Sequence, residues 1–142
     1  MKNTPRVLGI DYGEKRMGIA ISDPLGITAQ PLTTIICKNE SSLEKLQTFM
    51  IAYSVKLIVI GFPLNMNGTQ SSKSEKIKLF GDLLTEKLHV PVKYMDERLT
   101  TLSAQRTLNL TKLSGTKKKQ VIDKLAATLI LQTWLDREKN TA

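Results

Sequence analysis

Two short β-prone runs, Val7 to Asp11 and Met17 to Ser22, are separated only by Tyr12-Gly13-Glu14-Lys15-Arg16. So short a connection permits an antiparallel hairpin, whereas a parallel crossover needs a dozen residues or more. A third run, Thr28 to Cys37, follows the turn residues Asp23-Pro24-Leu25-Gly26, and Pro31 within it suggests an edge strand because proline cannot donate to a ladder. The chain therefore opens as a three-stranded meander. After Asn39 the apolar period changes from two to about three and a half. Ser41 and Glu44 have capping-box spacing, with Leu43, Leu46 and Met50 on one face, so a helix is expected to about Tyr53. Leu57 to Ile60, an apolar run closed by Gly61, suits a central strand covered on both faces. A loop from Phe62 to Ser71 leads to a helix capped by Ser72 with Glu75 and lined by Ile77, Phe80, Leu84 and Leu88. Val92 to Met95 makes a fifth strand. Thr100 or Thr101 caps a short helix to about Leu110, a basic loop follows, and Gln120 to about Lys139 reads as a helix striped by Val121, Leu125, Leu129 and Trp134. The order β-β-β-α-β-α-β-α-α is that of an α/β fold.

At 142 residues the chain is expected to form one domain over residues 1–142 and to bury about two-thirds of its unfolded surface, enough to fold without disulfides or a structural metal. Its one cysteine, Cys37, excludes an intramolecular bridge. Met1 to Arg6 is polar, and the apolar run Leu57 to Ile60 is far shorter than the ~20 residues of a spanning helix. These features predict a soluble, reduced, cytoplasmic protein with no membrane association. The net charge of +8 points to a polyanion, nucleic acid first and anionic lipid second. From Leu99 to Ile122 there is no acidic residue, while Arg106, Lys112, Lys117, Lys118 and Lys119 fall within that span. A one-signed stretch of this length is either a contact surface or a solvated loop.

Three acidic sites stand out. Asp11 alternates with Val7 and Gly9 on one side of a strand expected at the sheet's centre, where a carboxylate is costly unless paired, hydrogen-bonded or metal-bound. Gly9, Gly13 and, on the facing strand, Gly18, Ala20 and Ser22 leave room beside it for a phosphate or a hydrated cation. The bland alternative is an aspartate bonding its own turn. Asp96-Glu97-Arg98 follows the fifth strand, placing acids at the mouth of the sheet or merely forming a surface ion pair with a helix cap. Asp123 shares a helix face with Ala127, Ile130 and Trp134, and a place in the first turn, where the dipole favours an acid, would also explain it. If that helix packs on the sheet bearing Asp11, three carboxylates converge. An oxygen-only donor set suits Mg²⁺ or Mn²⁺ and not Zn²⁺. His89 is the single imidazole, between a helix and a strand, which leaves no Ser-His or Cys-His machinery, and no GxxxxGK[ST] phosphate loop is present. Acids beside a basic flank point to metal-assisted hydrolysis of a phosphodiester.

Gly9-Ile10-Asp11-Tyr12-Gly13 with Lys15-Arg16 and Gly18, then Gly61-Phe62-Pro63-Leu64-Asn65-Met66-Asn67-Gly68, then Asp96-Glu97-Arg98-Leu99-Thr100-Thr101 with Ala104, and last Asp123-Lys124-Leu125-Ala126-Ala127 together resemble the YqgF/RuvX family. These motifs occur in order over nearly the whole length. The resemblance implies an RNase H-like fold, a five-stranded mixed sheet with three antiparallel strands first, flanked by helices. It implies a cytoplasmic nuclease tied to maturation of the 5′ end of pre-16S ribosomal RNA, with a Holliday-junction resolvase, monomeric or homodimeric, as the alternative. It further implies Asp11, Glu97 and Asp123 as catalytic residues and ligands of one or two Mg²⁺ or Mn²⁺ ions, with Arg16, Arg98 and Lys117, Lys118 and Lys119 holding phosphates. Related junction resolvases carry an acid at the end of the fourth strand, where this chain has Gly61-Phe62-Pro63, so Glu97 has to reach in from the fifth. Asp96 is its rival, because alternation sends the two side chains opposite ways. A basic RNA-binding assembly factor with vestigial acids is the non-enzymatic alternative. Phosphotransfer of the sugar-kinase type would need a second lobe for which the chain has no room.

Overall fold

The structure, a computed structural model, describes residues 5–37, 41–65, 67–99 and 115–141. β1 (Arg6–Asp11) and β2 (Arg16–Ser22) form the expected hairpin, with Gly9 opposite Ala20 and Asp11 opposite Gly18. Asp23 shapes the next turn: its carboxylate accepts from the Ile27 N–H (2.8 Å) and the Thr28 hydroxyl (3.0 Å). The turn delivers β3 (Ala29–Ile36) antiparallel to β2, and Pro31 lies where the β2–β3 register shifts, on the outer strand. After α1 (Ser41–Tyr53), β4 (Val55–Phe62) adds parallel to β1; after α2 (Ser72–Leu88), β5 (Val92–Asp96) adds parallel to β4. The sheet order is β3-β2-β1-β4-β5, five mixed strands with β1 central.

The period-two alternation of β1, β2 and β4 sorts their side chains onto two faces. Leu8, Ile10, Met17, Ile19, Ile58 and Ile60 pack with Leu46 of α1 and Ile77 and Leu84 of α2. The opposite face, with Val7, Ala20, Val59 and Met95, is covered by one helix, α3 (Gly115–Thr141), through Ala126, Ala127, Ile130, Leu131 and Leu135. The helix is pinned to the sheet at two levels. The Thr34 hydroxyl donates to the Gln120 carbonyl (2.6 Å), and the Gln132 amide accepts from Ala29 N–H (2.8 Å) while donating to the Ile27 carbonyl (3.0 Å).

Several expectations need correction. The stretch around Lys117 to Lys119 is not a loop but the opening of α3, which begins at Gly115 and not at Gln120. Lysine is a good helix former, and nothing from Thr116 onward breaks a helix. Asp123 therefore lies beyond the first turns, and the dipole does not account for it. The sheet-facing stripe of α3 is also offset: Val121 and Leu125 are exposed, and Ile122, Ala126 and Ala127 are buried instead. In α2 the capping box sits one residue earlier than Ser72 with Glu75. Ser71 accepts from the Ser74 N–H (3.2 Å), and the Ser74 hydroxyl accepts from the Ser71 N–H (3.2 Å) and also donates to the Pro63 carbonyl. That buried hydroxyl ties the exit of β4 to the start of α2, a role Glu75 could not fill. His89 is the C-cap of α2, in the left-handed region (φ 55°). Ser41, expected to cap α1 with Glu44, is the first residue of that helix, while the Asn39 boundary and the short helix expected from Thr100 or Thr101 to Leu110 lie outside the described residues. Among the described residues no helix is long and apolar enough to cross a membrane.

Candidate active site

Three acids line up over β2, β1 and β4, at the carboxyl ends of β1 and β4, the edge at which open α/β sheets bind ligands. Asp11, the last residue of β1, is 5% exposed and faces α3. On one flank its partner across the ladder is Gly18. A Cβ at Gly18 would overlap the carbonyl group of Asp123 and lie 2.9 Å from the Lys124 nitrogen, so only glycine lets α3 descend far enough to bring Asp123 beside Asp11. On the other flank, extending the β1–β4 register by one residue beyond Ile10 and Ile60 sets Gly61 next to Asp11. A Cβ at Gly61 would meet Glu97 Oε1 at 2.7 Å, which means that the Glu97 carboxylate lies over this glycine. Neighbouring strands are about 4.8 Å apart, so Asp123, Asp11 and Glu97 arrive over three adjacent strands. Each outer acid occupies space that a side chain would otherwise fill.

The position where the fourth strand lacks an acid is thus supplied from the 3₁₀ turn Glu97–Leu99, which follows β5. Asp96 goes the other way. Its carboxylate is bound by Arg98, whose Nη2 lies 2.8 Å from Oδ2 and whose backbone N–H lies 2.9 Å from Oδ1. That guanidinium holds the Asp96 carboxyl below the ordinary aspartate range, chiefly by hydrogen bonding, against an opposing effect of desolvation. Arg98 also leans over Gly68 in the loop after β4, its Nη1 3.7 Å from where a Cβ would be.

Arg16 opens β2 and donates from Nε to Asp123 Oδ2 at 2.9 Å, the two side chains being 28% and 16% exposed. The sequence had suggested Arg16 as a phosphate ligand; here it is an acid's partner, and the bond uses Nε alone, leaving the outer guanidinium edge for an anion. Arg16, Asp11 and Asp123 line one open cavity of about 390 Å³. Glu97 is not among its walls, and among the described residues no three acidic, imidazole or thiol groups close into a cluster that would hold a metal ion. The donor chemistry still fits a hard divalent ion, since all three acids offer oxygen only. Lys117, Lys118 and Lys119 lie in the opening turns of α3, their side chains outside the described residues.

Two cations lining this cavity were not singled out as phosphate ligands from the sequence. Lys15, at the hairpin tip, and Lys73, in the first turn of α2, line it together with Tyr12. They are 58 positions apart in an otherwise charge-rich chain, and neither sits in a one-signed run. Only the folding of β1–β2 against α2 brings them together.

Comparison with known proteins agrees with this architecture. The RuvX family profile, described as Holliday junction resolvase, matches residues 5–137. A Clostridium kluyveri protein named "Putative pre-16S rRNA nuclease" is 48% identical over 133 residues, 93% of this chain and 97% of its own. A Clostridium botulinum protein of the same name is 50% identical over 132 residues, covering 92% and 96%. Among solved structures, RuvC of T. thermophilus in complex with a Holliday junction substrate aligns with a TM-score of 0.61 at 13% identity, over 98% of both chains, a likeness of fold. With ordered motifs, an RNase H-like sheet and close relatives along nearly its full length, the chain belongs to the YqgF/RuvX family.

Proposed function

We propose that this protein is a metal-dependent endonuclease that hydrolyses phosphodiester bonds in nucleic acid, with the 5′ end of pre-16S ribosomal RNA as its substrate. The observation that carries the reading is the row of Asp123, Asp11 and Glu97 over adjacent strands, with Gly18 and Gly61 clearing the space for the outer two. The names of the half-identical relatives support the substrate. Asp11, Glu97 and Asp123 would hold Mg²⁺ or Mn²⁺. When bound, such an ion polarises the scissile phosphate and lowers the pKa of a water for in-line attack.

The chain's own residues supply the rest. Asp11 is the rigid member, fixed on the central strand, while Asp123 and Glu97 come from a helix and a short turn on either side. Arg16 offsets the charge of Asp123 and turns its free guanidinium edge to the substrate phosphate. Arg98 fixes the turn that carries Glu97 by gripping Asp96. Lys117, Lys118 and Lys119 add positive charge at the opening of α3, for phosphates further along the strand.

The test is cleavage by purified protein of a pre-16S fragment and of a four-way DNA junction, with Mg²⁺ or Mn²⁺ and with chelator. Metal-dependent cutting of the RNA, lost in Asp11→Asn and Asp123→Asn, is the expected result. Unchanged cleavage by both variants would sink the assignment. The family description favours a second reading, a junction resolvase, which requires a symmetric dimer to cut two strands. Preference for the four-way junction together with a dimer in solution would select it.

A further inference from the structure

The cavity beside the acid row does not end there. Tyr12, Gly13 and Lys73 also wall a second, smaller cavity of about 160 Å³ that reaches Ser72 and Lys76 on the opening turn of α2. The two form one trough leading from Asp11 and Asp123 towards α2. The larger cavity alone is within the roughly 300–1,000 Å³ of pockets that hold small ligands. Its walls are held in place. The Cys37 N–H donates to the Lys15 carbonyl (2.8 Å), and the Cys37 thiol lies 3.6 Å from the Gly13 carbonyl, so the end of β3 braces the hairpin tip. The Tyr12 ring packs on Phe80 of α2, centroids 4.6 Å apart, and closes the trough's apolar side.

The cations along the trough are of two kinds. Lys76 is committed to Glu14, the one acid of the hairpin tip, and that ion pair holds the Glu14 carboxyl below its ordinary range. Among the described residues Lys15 and Lys73 carry no ion pair. Two lysines without an ion pair therefore line an open trough that also holds Asp11 and Asp123, and the carboxylate of its hairpin tip, Glu14, is already paired with Lys76. A neutral sugar would leave both ammonium charges unused. A phosphate chain needs point charges at its oxygens, an adjacent apolar wall for a base or sugar, and continuity with the site of cleavage.

Resting on the nuclease reading above, we propose that Lys15 and Lys73 form a subsite for a backbone phosphate adjacent to the scissile one, on the same strand, with Tyr12 as the wall beside its nucleotide. The substrate then enters along the hairpin tip and the start of α2, and α3 is not its only basic contact.

The experiment is fluorescence anisotropy of a labelled single-stranded pre-16S fragment against KCl concentration, in an Asp11→Asn background that binds without cutting. Each single-strand phosphate contact contributes about 0.7 to the slope of log affinity against log salt. Lys15→Ala and Lys73→Ala together should reduce the slope by about 0.7, the share of the one phosphate they hold, and each alone by less. Lys87→Ala, at the far end of α2 and about 21 Å along the helix from Lys73, should leave it unchanged. An unchanged slope in the double variant, with parent binding and wild-type cleavage intact, overturns the subsite and leaves the nuclease reading standing. An equal drop in Lys87→Ala also overturns it, because the attraction is then diffuse. A parent that binds no RNA overturns subsite and RNA reading together.

Discussion

Gly61→Ala separates the placing of Glu97 from the stability of the sheet. The new methyl carbon would lie 2.7 Å from Glu97 Oε1 and 2.5 Å from Ile130 Cδ1, where ordinary contact begins at about 3.4 Å. Both obstacles are ends of flexible side chains, so the strand can stay in register while Glu97 is displaced by roughly 0.7 Å. A misplacement of about 1 Å at a reacting centre costs on the order of a hundredfold in rate. Glu97 displaced by most of that distance should lower kcat/KM roughly ten- to a hundredfold. The stability cost is small by comparison: overpacking of about 1 kcal/mol against Ile130 is largely offset by the 0.5–1 kcal/mol by which alanine is preferred to glycine in a strand. At about 3–4 °C per kcal/mol for a domain of this size, the melting temperature should move by no more than ~3 °C. The measurements are cleavage rate at saturating metal and a thermal melt on the same preparation. Adding Ile130→Val removes the Cδ1 obstacle but not the Glu97 one, so the double variant should stay inactive. Wild-type activity in Gly61→Ala, or activity restored by Ile130→Val, would refute the view that this glycine exists to seat Glu97.

The other predictions concern the opposite flank and the rival acid. Gly18→Ala strikes the backbone of Asp123, which has no rotamer to yield, so it should cost about 3 kcal/mol and depress melting and cleavage together, as a melt and an activity assay would show. Asp96→Asn should leave metal-dependent cleavage within about threefold, whereas Glu97→Gln abolishes it, since Asp96 is engaged by Arg98 on the other side of the turn. Because the folded Asp96 carboxyl is depressed, its stabilisation is present above the unfolded value near about 4 and is lost as pH falls through the folded one. The melting difference between wild type and Asp96→Asn should therefore be visible at neutral pH and narrow below about pH 4.

Much of the fold was legible because backbone geometry leaves a short connection few choices. The five residues from Tyr12 to Arg16 dictated the hairpin, Pro31 the edge, and the run before Gly61 the doubly covered strand. What misled was charge and size. Three consecutive lysines looked like a solvated loop, yet lysine's helix propensity carries α3 straight through them. Large apolar residues drew the stripe of α3 through Val121 and Leu125, but the helix meets the sheet through Ile122, Ala126, Ala127, Ile130 and Leu131, and the small Ala126 and Ala127 in that stripe are not distinguished by hydrophobicity alone. The acids stood out because each breaks a local pattern. Lys15 and Lys73 break none, and their meeting is purely a product of tertiary structure.

α3 rests on the sheet through Ala126 and Ala127 and through Leu131 and Ile130, which seat over Gly9 and Gly61, and hydrogen bonds add to its hold along its own axis. Gln132 supplies the stop at the end away from the acids. Its amide fits between the Ala29 N–H and the Ile27 carbonyl like a key in a single wardlock, and a shift by one residue would break both bonds. It lies nine residues, about 14 Å, beyond Asp123 on the same rigid rod. The axial coordinate of an acid at one rim of the sheet is accordingly held in part from the other, by an uncharged side chain about 14 Å from that acid.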